Sequence, residues 1–469
     1  MERIPGRDAH FVYEERPGQP MHTLKLLLFD MPAGTSGLDI EEVRETLGPR
    51  IRELPPLRRR MVHVPLRIFH PIWLDAGDPD LDFHVRLARA REGEEQVVLG
   101  ELVARLASER LDRAHPLWQL WVVEGLEDGR GALIVKLHHA IGDGHASARL
   151  IAHLLGGLSP TQTDTPTPEA EERPSELRLF LDGGRDLAGT ILRSGEILRR
   201  ATRAGRASTR LRRTSGAGLA GSFASPKLPW SRPPTMRRSF GFVSLDRDGL
   251  ALVQQAQGCT PAELILAIMG GALRSYTREH GIAEGDGLNA SVPVSLRGPE
   301  ELEEWGNHVG TVFIELATGL EDPLERLGLI RGAMLAVREQ REELDLGHWD
   351  ELWELYPLMR LSYLGALAVM HRAVDRPTFS LIVSSVPGPP APLACCGARL
   401  AGIYSLGVLT EDQGLNVTIW SYGDRIGFGV TSCPEFLPDV WDLVGRIPEA
   451  LEELLRCSAH LAQSGEGIA

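Results

Sequence analysis

Cysteine is scarce in this 469-residue chain, which has five cysteines and no C-x-x-C pair. An odd set without paired spacing excludes both a disulfide framework and a cysteine-based zinc site. Lysine is scarcer still, since only Lys25, Lys136 and Lys227 stand among 50 basic residues. This skew toward arginine is typical of a coding preference, and the net charge of −14 argues against nucleic-acid binding.

Long apolar runs are also absent. No stretch approaches the roughly 18–20 apolar residues that a membrane span needs. Residues 1–20 carry charges throughout and lack the apolar segment of a secretion signal, so we expect a cytoplasmic protein. An apolar content of 43% with 24% charged residues is globular, and the length predicts two or three domains.

Runs rich in β-forming residues alternate with helical patterns along the chain, which predicts an α/β fold. The pattern breaks at residues 156–174, where Thr, Pro, Gly and Glu predominate. We therefore predict an N-terminal domain over 1–158, a linker over 159–236 that is Pro/Thr-rich and then Arg-rich, and a C-terminal domain over 237–469.

The linker is cationic. Between residues 173 and 238, 14 arginines and one lysine face four acids, giving +11 and leaving −25 for the rest of the chain. Apolar residues precede and interleave with the arginines, as in a basic amphipathic helix that lies on an anionic lipid surface. A solvated linker between the two halves explains the same charges equally well.

The chemistry is concentrated in residues 138–144, which read HHAIGDG after a buried strand and before a helix. Because side chains alternate along a strand, His138 and His139 point to opposite faces. A neutral histidine can take a proton from a hydroxyl group near pH 7, which suits direct acyl transfer without a serine nucleophile. The opposed faces disfavour a shared metal ion, so we predict no metal; purely structural histidines remain the alternative.

This motif resembles HHxxxDG of the CoA-dependent acyltransferase superfamily. Residues 111–118 (LDRAHPLW), with Pro116, Leu117 and Trp118, are similar to the block that precedes it in bacterial wax ester synthase/diacylglycerol acyltransferases. Further similarities follow in the family's order: PMH at 20–22, PVSLR at 293–297, GN at 306–307, VSSVPGP at 383–389 and GLNVT at 414–418.

The resemblance implies two chloramphenicol-acetyltransferase-like α/β halves, a pseudo-dimer joined by the linker with a substrate channel between the halves. The candidate catalytic residues are His139 as general base, His138 orienting the turn, and Asp143 holding the motif through an arginine. Gly144 would permit a tight turn. The implied substrates are acyl-CoA, with no separate cofactor, and diacylglycerol or a long-chain alcohol, met peripherally at the inner membrane or a lipid droplet.

The sequence departs from the family at two places. Ala262-Glu263 replaces Asn-Asp, and Ser385 stands where the family has Asn. Thr260, proline and Glu263 still predict a capping box at a helix start. We expect an intact fold with altered rate or substrate choice, and we place Asn416, Ser385 and Glu263 in the channel. A condensation-type enzyme using a carrier-protein thioester and an inactive lipid-binding homologue are the alternatives.

Overall fold

A computed structural model describes the chain except for residues 36, 127–128, 157–168, 215–218, 221–223, 283–286, 359–375 and 465–469. The strands are β1 Glu2–Arg3, β2 His22–Asp30, β3 Arg59–Val62, β4 Ile72–Asp75, β5 Val85–Arg89, β6 Trp118–Glu124, β7 Gly131–His138, β8 Ser239–Asp246, β9 Asn289–Ser295, β10 Val309–Glu315, β11 Leu381–Pro387, β12 Ala394–Cys395, β13 Ala398–Leu406, β14 Leu415–Tyr422 and β15 Arg425–Ser432.

The helices are α1 Gly6–Glu14, α2 Ile40–Glu53, α3 Pro55–Arg58, α4 Leu81–His84, α5 Glu95–Ala107, α6 Gly144–Leu154, α7 Glu176–Thr214, α8 Arg247–Gln257, α9 Pro261–Glu279, α10 Pro323–Glu339, α11 Arg341–Leu344, α12 His348–Glu354 and α13 Val440–Ser464. Single turns of 3-10 helix lie at Pro65–Arg67, His139–Ile141 and Pro299–Glu301. Within the described residues, no helix combines the length and the apolar content needed to cross a bilayer.

Two mixed sheets confirm the predicted α/β fold of two halves. One has the order β12-β13-β2-β7-β6-β5 and carries the HHxxxDG strand β7 at its centre. The other has the order β10-β9-β11-β14-β15-β8, and a smaller sheet has the order β1-β4-β3. Strand β7 is buried along its whole length, which is why its sequence is nearly continuous in apolar residues.

The chain crosses between the halves. Strand β13 comes from the C-terminal part of the sequence, yet it pairs antiparallel with β2 of the N-terminal sheet over residues 399–406. Its side chains Leu400 and Ile403 are buried in the core of that N-terminal half. The division at residues 158 and 236 stays a prediction, and the folded halves are not contiguous stretches of sequence.

Local sequence signals explain several element boundaries. Helix α9 begins at the predicted capping box: Thr260 N donates to Glu263 Oε2 at 2.8 Å, and Glu263 N donates to Thr260 Oγ1 at 3.4 Å. The predicted hairpin joins β14 and β15 through Gly423, whose φ of +58° favours glycine. Both predictions are confirmed.

The arginine-rich part of the linker forms α7, a 39-residue helix. The Pro/Thr-rich part at 157–168 lies outside the described residues. Buried positions on α7 recur every seven residues, at Gly183, Thr190, Ile197, Ala204 and Leu211. Helix α7 packs against α11 and α12, and its Gly183 lies against Val64, so the arginine-rich segment is an ordered helix fixed along one face.

Candidate active site

The HHxxxDG segment leaves the central strand of the N-terminal sheet and turns directly into α6. His138 is the last residue of β7, and its N–H donates to the Leu117 carbonyl at 3.0 Å. His139 N–H donates to the Met21 carbonyl at 2.8 Å. The two histidines are therefore fixed by backbone hydrogen bonds to two neighbouring segments, which gives the turn one defined position.

The His138 side chain is buried and orients this turn. Its Nδ1 accepts a hydrogen bond from Ala140 N at 3.1 Å, and its Nε2 lies 3.8 Å from Glu15 Oε2. Glu15 also pairs with Arg113. Burial alone would raise the pKa of Glu15, but His138 and Arg113 stabilise the carboxylate and lower that pKa to about 2.

His139 points to the other face, against helix α1. Its ring stacks on Phe11 with centroids 4.1 Å apart, and its Nδ1 has no hydrogen-bond partner among the described residues. Burial, followed by the positive charge of Lys25, lowers the pKa of His139 to about 4. The imidazole is therefore neutral at pH 7, the state in which it can accept a proton.

Asp143 holds the turn to the C-terminal half. Its Oδ1 accepts from Ala146 N at 2.9 Å and caps α6. Its Oδ2 accepts from Arg297 Nη2 at 3.1 Å and from His308 N at 3.0 Å. This is the arginine contact that the family resemblance implies, and it uses both carboxylate oxygens for structure.

The glycines of the motif are required by close packing. A Cβ at Gly144 would lie 2.6 Å from Val386 Cγ2 of β11. Gly144 is not among the glycines with a positive φ, so the space at its Cα, and not its φ, requires a glycine here. Gly144 instead allows α6 of one half to approach a strand of the other.

A second connection between the halves runs through α1 and was missed by sequence reasoning. Asp8 Oδ1 accepts from both Asn307 N (2.8 Å) and Asn307 Nδ2 (2.7 Å). The same Nδ2 donates to the His139 carbonyl at 2.9 Å. Burial raises the pKa of Asp8 to about 7 despite these hydrogen bonds. The only sequence signal was the GN pair at 306–307.

Lys25 was also missed. It is 4% exposed, and its Nζ donates to Thr23 Oγ1. Burial lowers the pKa of Lys25 to about 7, and its charge acts on His139. A buried lysine is costly, so its presence in a chain with three lysines was the available signal.

The block at Pro116, Leu117 and Trp118 supports the motif from behind. Leu117 supplies the carbonyl that receives His138 N–H. The Trp118 ring is buried, stacks on His84 at 4.2 Å and donates through Nε1 to the Leu57 carbonyl at 2.7 Å. Trp118 is thus a core aromatic.

Comparison with known proteins identifies the family. A model of the wax ester synthase/diacylglycerol acyltransferase catalytic domain matches residues 4–264, and a model of the WS/DGAT C-terminal domain matches residues 305–455. The chain belongs to the wax ester synthase/diacylglycerol acyltransferase family. The family predicted from the motifs is therefore confirmed.

Two relatives support this family assignment, and one solved structure shares the fold. A Mycobacterium tuberculosis protein provisionally named a diacylglycerol O-acyltransferase is 30% identical over 98% of this chain and 91% of its own. A Mycobacterium bovis protein with the same provisional name is 31% identical over 97% and 99%. A wax ester synthase/diacylglycerol acyltransferase from Marinobacter aquaeolei VT8 has a TM-score of 0.67 at 24% identity, covering 98% of this chain and 100% of that one.

The first condensation domain of the CDA synthetase shares the same fold. It superposes with a TM-score of 0.60 at 13% identity over 98% of this chain and 96% of its own. The fold is therefore common to WS/DGAT and condensation domains. The two WS/DGAT family models, which together cover most of the chain, distinguish between them.

No hydrogen bond or ion pair among the described residues joins the motif to the residues that we placed in the WS/DGAT channel. Asn416 Nδ2 donates to the Val408 carbonyl at 2.9 Å, and its Oδ1 accepts from Thr418 Oγ1 at 3.0 Å. Glu263 caps α9 and pairs with Arg338 at 2.6 Å. These contacts are structural, and the channel roles stay predictions.

Ser385 lies on the strand that contacts the motif, but it points the other way. Val386, its neighbour on β11, packs at Gly144. Because successive side chains alternate between faces, Ser385 projects to the opposite face, where it is exposed. By the same alternation, Ser384 shares the face of Val386.

One cluster has the composition of a metal site. Glu301, Glu304 and His308 bring one ligand atom each within 4.8 Å. Arg7 Nη2, however, donates to His308 Nε2 at 2.8 Å, and Glu304 Oε2 lies 3.3 Å from the same nitrogen. A guanidinium therefore already supplies the positive charge, and the cluster is an ion-pair network.

Proposed function

We propose that this chain transfers a long-chain acyl group from acyl-CoA to the hydroxyl of diacylglycerol or a fatty alcohol, with His139 as general base. The observation that carries the proposal is the state of His139: a neutral imidazole with an unpartnered Nδ1, held by both halves at their junction. Family membership supports the acyl transfer and both acceptor classes.

The chemistry needs no separate cofactor. His139 takes the hydroxyl proton as the acceptor oxygen attacks the thioester carbonyl. The carbon–sulfur bond breaks, and the departing sulfur receives that proton from the imidazolium to give free CoA. Since the ester oxygen comes from the acceptor, water must be kept from His139, and the Phe11 ring stacked on it covers one face.

The test is release of free CoA from palmitoyl-CoA, with hexadecanol and dioleoylglycerol as separate acceptors. We expect acceptor-dependent release that His139→Ala reduces by at least about 100-fold. His145→Ala is the matched control, because His145 neighbours the motif and its Nε2 forms a hydrogen bond with the Leu302 carbonyl, outside the motif. Undiminished release in the folded His139→Ala protein would refute the assignment of the base.

The same assay separates the alternatives. Release from an acylated carrier protein, with none from palmitoyl-CoA, would favour a condensation-type donor. Lipid binding without release from either donor would favour an inactive homologue. The intact contacts of His138, His139 and Asp143 support an active enzyme.

We also propose peripheral association with an anionic lipid surface through α7. Leu192 is 87% exposed and lies two residues beyond buried Thr190, about 200° around the helix. Other exposed apolar residues share that outer face, which continues into arginines further along: Leu177, Leu181, Arg199, Arg206, Arg210 and Arg213. The outer face therefore presents an apolar part followed by a cationic part.

Charge complementarity favours an anionic surface. The rest of the chain carries −25 and would be repelled by anionic lipid, so the cationic face of α7 would orient the enzyme toward it. Sedimentation with vesicles should show binding to phosphatidylglycerol-containing but not to pure phosphatidylcholine membranes. Leu192→Glu should weaken it severalfold, whereas Leu335→Glu, at a half-exposed leucine of α10, should not. Equal binding of the two variants would refute the role of α7.

A further inference from the structure

A cavity of about 430 Å³ lies beside α1, on the His138 side of the motif. Its charged lining consists of His63, Arg67, Arg110 and Arg113, with Glu15 as the acidic member. The volume falls within the range of small-molecule sites. The first four residues come from two segments of sequence about 45 positions apart, and the fold brings them to one concavity.

Two of these arginines, Arg67 and Arg110, are exposed and unpaired within the described part of the chain. Neither the Arg67 nor the Arg110 side chain makes a hydrogen bond or ion pair with a residue that the structure describes. Arg113 by contrast is paired with Glu15. Burial, followed by repulsion from Arg67 and Arg113, lowers the pKa of His63 to about 4. The cavity is thus a site of positive potential before any ligand arrives.

The cavity adjoins the motif through Glu15. Glu15 is part of its lining, and the Glu15 carboxylate lies 3.8 Å from His138 Nε2. His138 adjoins His139 in the chain. A ligand held by its anionic end in the cavity can therefore extend toward the base from the His138 side.

We propose that Arg67 and Arg110 bind the phosphate groups of the CoA donor. The inference rests on the proposed acyl-CoA chemistry. Guanidinium groups match phosphate oxygens with paired N–H donors, and unpartnered arginines bind without first breaking an internal ion pair. The pantetheine arm separates the phosphates of CoA from its sulfur. This donor therefore requires a phosphate site beside the motif and not at His139 itself.

The test measures binding and kinetics separately. In titration calorimetry with CoA alone, the Arg67→Gln/Arg110→Gln double variant should bind at least about tenfold more weakly than wild type. The KM for palmitoyl-CoA should rise similarly, with kcat retained and the KM for palmitoyl-pantetheine, which has no phosphate, unchanged. Arg89→Gln is the control, since Arg89 is exposed outside the cavity.

The other outcomes either overturn the inference or separate it from the proposed function. Unchanged CoA binding in the double variant would overturn the inference even if the enzyme proved inactive. An equal rise in KM for palmitoyl-CoA and for palmitoyl-pantetheine would also overturn it, because it would indicate a general structural effect. Loss of binding to phosphatidic acid vesicles, with unaltered CoA binding, would assign the cavity to a lipid headgroup. Absence of transfer from both donors by wild type, with the CoA binding difference present, would refute the proposed function and leave the cavity site standing.

Discussion

His139, the proposed base, has a pKa of about 4 and therefore stays unprotonated over nearly the whole pH range in which proteins are stable. Because only the neutral imidazole of His139 can take the hydroxyl proton, kcat/KM should fall only as pH drops toward about 4. A pH profile of kcat/KM between 4 and 8 measures this. An acidic limb centred near the ordinary histidine pKa of about 6.5 would show that the active-site burial described here is absent in the working enzyme.

Lys25 contributes to that low pKa through its charge. Its own pKa of about 7 keeps it protonated in the acidic limb, so Lys25→Met removes a positive charge from beside His139. The pKa of His139 should then rise, and the acidic limb should move to higher pH. Lys227→Met, outside the site, should leave the limb in place. An unmoved limb in Lys25→Met would show that the two side chains do not interact.

The motif histidines and Asp143 could be predicted from sequence because they are contiguous and their spacing carries chemistry. Lys25, Asp8 and the arginines of the cavity could not, since each gains its role from a neighbour far away in sequence. The pairing of Asp8 with Asn307 joins positions 299 residues apart. No local pattern marks such a contact.

Packing between elements imposes its own requirement at Gly144. In Gly144→Ala the added methyl group would meet Val386 Cγ2 at 2.6 Å, so we expect a loss of about 1–3 kcal/mol in the free energy of unfolding. Val386→Ala removes the obstructing atoms, and the double variant should lose less than the sum of the two single losses. Urea denaturation of the three variants tests this. Strict additivity would mean that α6 and β11 do not meet at this point.

Helix α1 is fixed to the motif through a buried carboxyl group whose pKa is raised. The folded protein holds the Asp8 proton up to about pH 7, whereas the unfolded chain releases it near 3.8. Between these values the folded state binds more protons, so this group makes stability fall as pH rises.

Asp8→Asn removes that dependence and keeps an oxygen that can accept from Asn307. Relative to wild type, the variant should gain stability between pH 4 and 8, by at most about 4 kcal/mol. Denaturation at several pH values measures the difference. A constant difference across this range would contradict the raised pKa.

At the level of elements, sequence patterns predicted helices and turns correctly where interactions between nearby residues determine the structure. The capping box of α9, the hairpin at Gly423 and the helical character of the arginine-rich segment are examples. Strand β13 was not predicted, because the apolar alternation of residues 398–406 does not specify its partner. The face of β11 on which Ser385 lies could not be predicted either, because motif position does not reveal which face of a strand a side chain occupies.

For the whole molecule, the consequence of β13 is that the N-terminal sheet is incomplete without a strand from the C-terminal part of the chain. The C-terminal part of the chain contributes Ile403 to the core around β7, and Asp143 of the N-terminal part is held by Arg297. The candidate active site lies at this junction of the two halves. The geometry of His139 therefore depends on the stability of both halves, and the two should unfold together.

This coupling is measurable with one buried isoleucine in each core. Ile403 lies in the core around β7, and Ile447 of α13 lies in the core of the other half. Each change to alanine should cost about 2–5 kcal/mol. If the halves form one cooperative unit, both variants should lower the temperature of the same single calorimetric transition, with equal calorimetric and van't Hoff enthalpies. Two transitions, of which Ile403→Ala moves one and Ile447→Ala the other, would show that the halves fold independently and that the crossing strand does not couple them.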